Sequence, residues 1–266
     1  MGIPNDYPVG TAGEPWGERE VEQWRSRQSR QRRYDVDVVT RIDALADRYE
    51  KLSYGQLCYA GEEYTLLALR GRRFDPALPT ALVTGGVHGY ETSGVLGALA
   101  FLETEASGYA GRVNLLVAPC VSPWAYERIN RWNYDAIDPN RNFRPDGPAR
   151  EATALIELVC SMQSPFLMHI DLHETTDSDA NEFGPALAAR DGKSHEKETI
   201  PDGFYLVADS ANPQLEFQQS IIAAVEKLTH IAPPDANGRI IGSTVVSSGV
   251  IEYPLTKLAL CCSITG

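Results

Sequence analysis

The sequence has 266 residues, a formal net charge of −12, 43% hydrophobic residues and 23% charged residues. A chain of this length can bury a sizeable core without disulfides, as one large α/β domain or two small ones. The acidic balance argues against a general nucleic-acid surface, although a local basic pocket can exist inside an acidic protein.

Cysteine usage and the N-terminus bear on the compartment of the protein. The five cysteines are scattered along the chain and none has CxxC spacing, which favours reduced thiols and a cytoplasmic location. Residues 1–17 show no basic start followed by an apolar stretch, and no run is long enough to cross a membrane. We therefore expect no membrane partner.

The first part of the chain is predicted to be an N-terminal arm over residues 1–33, followed by one domain over residues 34–266. Arg25–Arg33 is a basic run that is typical of a solvated helix face. A nucleic-acid arm is the alternative, but no aromatic side chains alternate with the arginines, so we expect no nucleic-acid partner.

From residue 36 onward, helical and strand patterns alternate. Apolar residues at helical spacing predict helices over 36–49 and around 95–102, 152–159 and 217–228. Apolar runs predict strands at 56–59, 64–69, 81–87, 113–118, 166–172, 204–208, 244–247 and 250–253. The polar segments 119–148 and 174–203 are predicted to be long loops. The pattern predicts an α/β fold with a mixed, largely parallel twisted sheet and helices on both faces.

The stretch that follows the strand at 81–87 suggests half of a metal site. Gly85 and Gly86 allow the backbone to turn, and His88 and Glu91 follow three residues apart. Zinc accepts imidazole nitrogen and carboxylate oxygen, and two histidines with one glutamate leave a fourth position open. His88 and Glu91 are therefore candidate zinc ligands.

A third ligand is predicted at the end of the strand at 166–172. His169, Asp171 and His173 share one face of that strand because successive residues alternate sides. His173 stands at the carboxyl end and is the candidate ligand, while Asp171 could orient an imidazole from behind. A second metal ion at Asp171 or His169 is a weaker alternative, so one ion is expected, with His169 a hydrogen-bonded core histidine.

Two further segments carry candidate functional groups. Asn140 and Arg141, within the run DPNRNF, suit capture of a carboxylate, although a loop arginine among turn residues is the alternative. Glu252 is a carboxylate in a short apolar strand. It fits a general base that takes a proton from water, or else an edge-strand glutamate that faces solvent.

The order HxxE, Asn-Arg, strand-end histidine and late strand glutamate resembles the M14 family of zinc carboxypeptidases, over roughly Tyr34 to Leu260. The resemblance implies a zinc carboxypeptidase-like catalytic domain in which His88, Glu91 and His173 bind one Zn²⁺. On the matching positions it implies that Asn140 and Arg141 hold the terminal carboxylate of the substrate. It also implies that Arg128 polarises the scissile carbonyl and that Glu252 is the catalytic glutamate.

The resemblance thus implies a cytoplasmic metallopeptidase that cleaves an amide bond next to a free carboxylate. Two alternatives stay open. Asp171-Leu172-His173 is also similar to the desuccinylase and aspartoacylase branch, which would make the substrate an N-acyl amino acid. The segment between His230 and Ile251 has no tyrosine, where the carboxypeptidases place a mobile one. A catalytically silent metal-binding module is therefore the second alternative.

Overall fold

The structure is a computed structural model that describes residues 7–195 and 199–265. Part of the predicted arm, residues 1–6, lies outside the described residues. So do residues 196–198 of the predicted polar segment and Gly266 at the end of the predicted domain.

The described residues form two compact units. The larger unit combines those of Val21–Glu174 and Ala259–Gly266, and the smaller unit those of Met1–Glu20 and Thr175–Leu258. The boundary predicted between an arm and one catalytic domain at residue 34 stays a prediction.

The larger unit is built on five strands with helices between them. The strands are β1 (Tyr49–Tyr59), β2 (Glu62–Gly71), β3 (Thr80–Gly85), β4 (Asn114–Ala118) and β5 (Phe166–Leu172). The α-helices are α1 (Glu18–Arg25), which begins in the sequence of the smaller unit, α2 (Thr40–Ala44), α3 (Thr92–Thr104), α4 (Pro123–Arg128) and α5 (Arg150–Ser161). A π-helical turn spans Asp35–Val39, and 3₁₀ turns span Ala106–Tyr109, Pro139–Arg141 and Cys261–Thr265.

The sheet of the larger unit has the strand order β1-β2-β4-β3-β5. Strands β1 and β2 form an antiparallel hairpin, and β2 pairs antiparallel with β4. The inner strand β3 pairs in parallel with both β4 and β5. Every residue of β3 is buried, as expected for a parallel strand covered on both faces. The prediction of an α/β fold with a mixed sheet and parallel core strands is confirmed.

The smaller unit contains a second sheet. Its elements are a π-helical turn (Asp179–Phe183), α6 (Gly184–Arg190), β6 (Leu206–Asp209), α7 (Leu215–Val225), β7 (Arg239–Ile240), β8 (Ser243–Ser247), β9 (Val250–Tyr253) and α8 (Leu255–Leu258). The strand order is β6-β9-β8-β7, with β6 and β9 parallel and the other pairs antiparallel. Ala208, Ile222 and Val250 form one apolar cluster that holds α7 against this sheet.

Some predicted elements differ from those of the structure. The helix expected over 36–49 ends earlier, because Tyr49 pairs with Gly71 and begins β1. Helix α4 begins at Pro123, within the predicted loop 119–148, and α6 lies within the predicted loop 174–203. Polar composition marked both segments as loops, although each helix has a proline at its start, whose fixed φ suits the first turn of a helix.

Part of the predicted N-terminal arm packs into the larger unit. Trp24 is buried, with ring centroids 6.0 Å from Trp124 and 5.6 Å from Trp132. Two arginines of the basic run form ion pairs within this unit: Arg30 Nε lies 2.7 Å from Glu127 Oε2, and Arg33 Nη2 donates to Asp35 Oδ2 over 2.5 Å. These arginines thus neutralise acidic groups of the same unit.

Within residues 7–195 and 199–265, none of the helices combines the length and apolar composition that a membrane crossing requires.

Candidate metal centre

The ends of two parallel strands bring the candidate ligands to one edge of the larger sheet. In the pairing of β3 with β5, Gly85 stands opposite Leu172. His173 follows Leu172 directly, and His88 lies three residues beyond Gly85. Because both strands run in the same direction, these histidines leave the sheet at the same edge.

The turn after β3 depends on close backbone packing at Gly89, between His88 and Tyr90. A Cβ atom at this position would lie 2.0 Å from the carbonyl carbon of Ala125 and from the amide nitrogen of Tyr126. That separation is far below van der Waals contact, so a side chain would push the turn away from α4. Glycine thus lets His88 and Glu91 enter the buried edge of the sheet.

Three side chains converge at this edge. His88 Nδ1 lies 2.8 Å from Glu91 Oε1, and His173 Nδ1 lies 2.5 Å from Glu91 Oε2. Ligand atoms of the three residues all lie within 4.8 Å of one another. His88 and Glu91 are buried, whereas the His173 side chain keeps 30% of its surface exposed. The three residues predicted from the sequence therefore meet in space.

Each imidazole has an aspartate at its outer nitrogen. His88 Nε2 lies 2.9 Å from Asp138 Oδ1, and His173 Nε2 lies 2.5 Å from Asp171 Oδ2. A carboxylate in this position fixes the ring orientation and favours the proton on Nε2, which leaves the lone pair of Nδ1 on the inner side to bind an ion. Both rings thus present the same atom to the space beside Glu91.

The charges of the cluster favour ionised carboxylates. Burial alone would raise the pKa of Glu91, but the imidazoles of His173 and His88 outweigh it and hold the pKa below its usual range. For Asp138, burial is likewise outweighed by Arg131 and then His88, so its pKa is also lowered. Anionic oxygen next to imidazole nitrogen is the donor chemistry that a divalent cation such as zinc requires.

The two histidines of β5 differ in their surroundings. Burial would lower the pKa of His173, but Asp171 and Glu91 raise it well above its ordinary value. Burial is the main cause at His169 and lowers its pKa to about 4, so this ring is neutral. His169 Nε2 contacts the Thr84 hydroxyl at 2.9 Å.

Asn140 and Arg141 follow Asp138 in a 3₁₀ turn and have different surroundings. The Asn140 side chain is held by its Oδ1, which accepts from the backbone N–H of Cys261 over 2.8 Å, and its Nδ2 lies 3.2 Å from His173 Nε2. Arg141 is exposed and donates from Nη1 to the Asn140 carbonyl over 2.7 Å. Asn140 lies beside the cluster, and the carboxylate-holding role of both residues stays a prediction.

Arg128 lies in a buried polar network at the end of α4. Its guanidinium donates to Glu62 Oε2 over 2.5 Å and to the Tyr64 hydroxyl over 3.0 Å, and lies 4.6 Å from the ring centroid of Trp124. Glu127 Oε2 is a third polar partner at 3.4 Å. The contacts recorded in the described part of the chain tie Arg128 to this network, and its carbonyl-polarising role stays a prediction.

Two functional candidates were missed from the sequence, Arg131 and Asp138. Arg131 Nε donates to Asp138 Oδ2 over 3.1 Å, and its Nη1 lies 3.4 Å from the Tyr90 hydroxyl. Through Asp138 and Tyr90 this arginine is linked to the turn after β3, His88–Glu91, called the HGYE turn. One signal was available in the sequence. A metal-binding histidine usually donates its other ring N–H to a carboxylate, and Asp138 is the acidic residue of the DPNRNF run.

Glu252 lies on β9 of the smaller unit, opposite Ala208 of β6, and is half-buried. Within the described residues of that unit, its carboxylate has no hydrogen-bond or ion-pair partner. Its neighbours on the strand, Val250 and Ile251, are fully buried. The role of Glu252 as general base stays a prediction.

No family model matches this sequence. No curated protein matches it either. Solved structures do: the chain is similar to a protein from Shewanella denitrificans OS217 that is provisionally described as a metallopeptidase, with 19% identity and a TM-score of 0.59, over 84% of this chain and 76% of that one. A provisional metallopeptidase from Shewanella amazonensis SB2B has 20% identity and a TM-score of 0.58, over 86% and 90%.

A third structure, provisionally described as a carboxypeptidase A from Shewanella denitrificans OS-217, has 14% identity and a TM-score of 0.51, over 85% of this chain and 55% of that one. At such low identities the likeness concerns the fold alone, and membership of the M14 family stays a prediction. The chain has the α/β fold of these carboxypeptidase-like structures.

Proposed function

We propose that this chain is a zinc-dependent hydrolase of the metallocarboxypeptidase type, which cleaves an amide bond next to a free carboxylate. The observation that carries the proposal is the meeting of His88, Glu91 and His173 at one sheet edge, with both Nδ1 atoms facing the Glu91 carboxylate. Two imidazoles and one carboxylate are a donor set of catalytic zinc sites, where a further position is left for water or substrate.

The residues around the cluster fit a bound divalent cation. Asp138 and Asp171 stand at the outer nitrogens of the two imidazoles, so both inner nitrogens are free of protons when the rings are neutral. His88 and Glu91 would hold the ion from the buried side and His173 from the exposed side. When bound, the ion would supply a Lewis acid that polarises a carbonyl and lowers the pKa of water.

Charged side chains would bind and orient the substrate and transfer protons. The exposed guanidinium of Arg141 suits bidentate capture of a terminal carboxylate, which fixes the register of cleavage. Arg131, linked to the cluster through Asp138, is a better candidate than Arg128 for stabilising a developing oxyanion, because Arg128 is committed to Glu62 and Tyr64. Glu252 would accept a proton from water and return it to the leaving amine.

The proposal is tested by metal binding and turnover together. Zinc affinity is measured by competition with a chromophoric chelator for the wild type, Glu91→Gln and the control Glu105→Gln, whose carboxylate is exposed at the end of α3. We expect tight binding by the wild type and the control, and loss of binding by Glu91→Gln. A wild type that binds no zinc would overturn the proposal.

The substrate class is tested on the zinc-loaded protein. N-blocked dipeptides with a free carboxyl terminus are compared with their amides and with N-acetyl and N-succinyl amino acids. Hydrolysis of the free-acid peptides alone supports the carboxypeptidase type, whereas turnover of acyl amino acids alone would move the activity to the deacylase class. Zinc binding without turnover of any of these would leave only a metal-binding module.

Arg141→Ala should raise KM for free-acid peptides. An equal effect on the amides would show that Arg141 does not bind the terminal carboxylate.

A further inference from the structure

Thr84 places a hydroxyl group behind the third candidate ligand. It lies on β3 and is fully buried. The hydroxyl donates to Asp171 Oδ1 over 2.6 Å, and its oxygen lies 2.9 Å from His169 Nε2. The other oxygen of the same carboxylate, Asp171 Oδ2, contacts His173 Nε2. A buried hydroxyl is thus connected to a candidate metal ligand through one carboxylate.

The direction of each hydrogen bond in this group follows from proton counting. A hydroxyl has one hydrogen, and an ionised carboxylate accepts only, so Thr84 donates to Asp171. The Thr84 oxygen can then accept a proton from the neutral ring of His169. His169 Nδ1 is buried and has no partner among the described residues, which places the ring proton on Nε2. The chain of donors runs from His169 through Thr84 to Asp171.

The backbone of this region is held without the Thr84 hydroxyl. Strands β3 and β5 are paired over Val83–Ile170, Thr84–Asp171 and Gly85–Leu172. Removal of the hydroxyl therefore leaves the strands in register but takes away the donor that fixes the rotation of the Asp171 carboxylate at Oδ1. A rotated carboxylate no longer holds His173 with Nδ1 towards Glu91.

We propose that Thr84 is a positioning residue for the metal centre: its hydroxyl orients the Asp171 carboxylate and, through it, the imidazole of His173. The inference rests on the proposed metal site, because it concerns how one ligand of that site is held. It assigns to Thr84 no contact with substrate or metal. An ion bound by a less well-oriented imidazole is held more weakly, and partners behind a ligand typically contribute 10- to 100-fold in affinity.

The test uses Thr84→Val, which keeps the shape of the side chain and removes the donor. Thr80→Val is the matched control, because Thr80 lies on the same strand, is equally buried and donates instead to the Ser164 hydroxyl over 2.9 Å. Thr84→Ser keeps a hydroxyl at this position and should therefore retain wild-type zinc affinity. Zinc affinity is measured by chelator competition, and the visible absorption spectrum of the Co²⁺-loaded protein reports ligand geometry.

We expect Thr84→Val to bind zinc about tenfold more weakly and to change the Co²⁺ spectrum. Thr80→Val and Thr84→Ser should bind like the wild type. Should Thr84→Val fail to fold, Thr84→Ala with Thr80→Ala as its control replaces it, because a smaller side chain cannot clash. Wild-type affinity and spectrum in the Thr84 variant would overturn the inference and leave the metal site intact. Equal losses at both threonines would show a purely structural role, and a wild type without zinc affinity would instead overturn the proposed function.

Discussion

His88 Nε2 and Asp138 Oδ1 lie 2.9 Å apart although 50 positions separate the two residues in the chain. The contact joins the HGYE turn to the DPNRNF loop. It also links His88 to Arg131, because the second oxygen of Asp138 accepts from that guanidinium.

Loss of the Asp138 carboxylate should weaken metal binding. In Asp138→Asn the amide offers one acceptor and one donor group, so it cannot accept from both His88 and Arg131. We expect zinc affinity to fall about 10- to 100-fold. Asp135→Asn is the control, since Asp135 is a nearby exposed acid whose partner is Arg25. Unchanged affinity in Asp138→Asn would show that the carboxylate does not orient His88.

The two arginines near the candidate site should respond differently to substitution. Arg131→Ala should lower kcat/KM about 10²- to 10³-fold, the usual effect of removing one oxyanion donor. Arg128→Ala should instead lower the free energy of unfolding by about 2–3 kcal/mol, because Glu62 and Glu127 lose a buried partner while Arg30 stays beside both. Steady-state kinetics and chemical denaturation of both variants separate the two effects, and the reverse pattern would restore Arg128 as the functional arginine.

Substitution of Glu252 by glutamine should strongly lower turnover and keep zinc affinity. The amide has nearly the shape of the carboxylate but is a poor base, so we expect kcat to fall about 10²- to 10⁴-fold. Glu226→Gln, at the exposed end of α7, is the control in the same unit. Activity close to that of the wild type in Glu252→Gln would remove this residue from the reaction.

Stability should depend on pH through Glu151, a buried acid of α5 that contacts Ser122 and Asn133. Burial is the main cause that raises its pKa in the folded state. The folded protein keeps this proton to higher pH than the unfolded chain, so its contribution to stability is full below the ordinary glutamate pKa. The contribution is lost as pH rises through the raised pKa.

Glu151→Gln removes this dependence, because the amide stays neutral at every pH. The free energy of unfolding, measured by urea titration from acidic to mildly alkaline pH, should fall less steeply with pH in the variant than in the wild type. Glu157→Gln, on the exposed side of the same helix, should keep the wild-type slope. Parallel curves for wild type and Glu151→Gln would mean that this acid ionises equally easily in both states.

The sequence predicted the metal cluster because each ligand is defined by local signals. The apolar run before Gly85 predicts a buried strand, and His173 ends a second one. Parallel strands bring their carboxyl ends to one edge, which the pairing of Gly85 with Leu172 bears out. Local spacing was therefore sufficient to predict that His88, Glu91 and His173 meet.

The arginines could not be assigned in this way. Arg128 and Arg131 are three residues apart on the same segment, and nothing local distinguishes them. The difference arises because Ile129 adopts a left-handed conformation that ends α4, with a φ of 52°. That change of direction leaves Arg128 beside Glu62 and Arg131 beside Asp138.

Residue periodicity and turn chemistry by themselves predicted the α/β class, the strands that carry the candidate ligands and the three residues that meet there. Only the tertiary structure showed which carboxylate contacts the outer nitrogen of each imidazole and which charged side chains form ion pairs within the protein. Strand and turn signals act over a few residues, whereas such polar contacts join distant segments, 121 positions apart in the case of Asn140 and Cys261. Only packing of the whole unit brings those segments within hydrogen-bond distance.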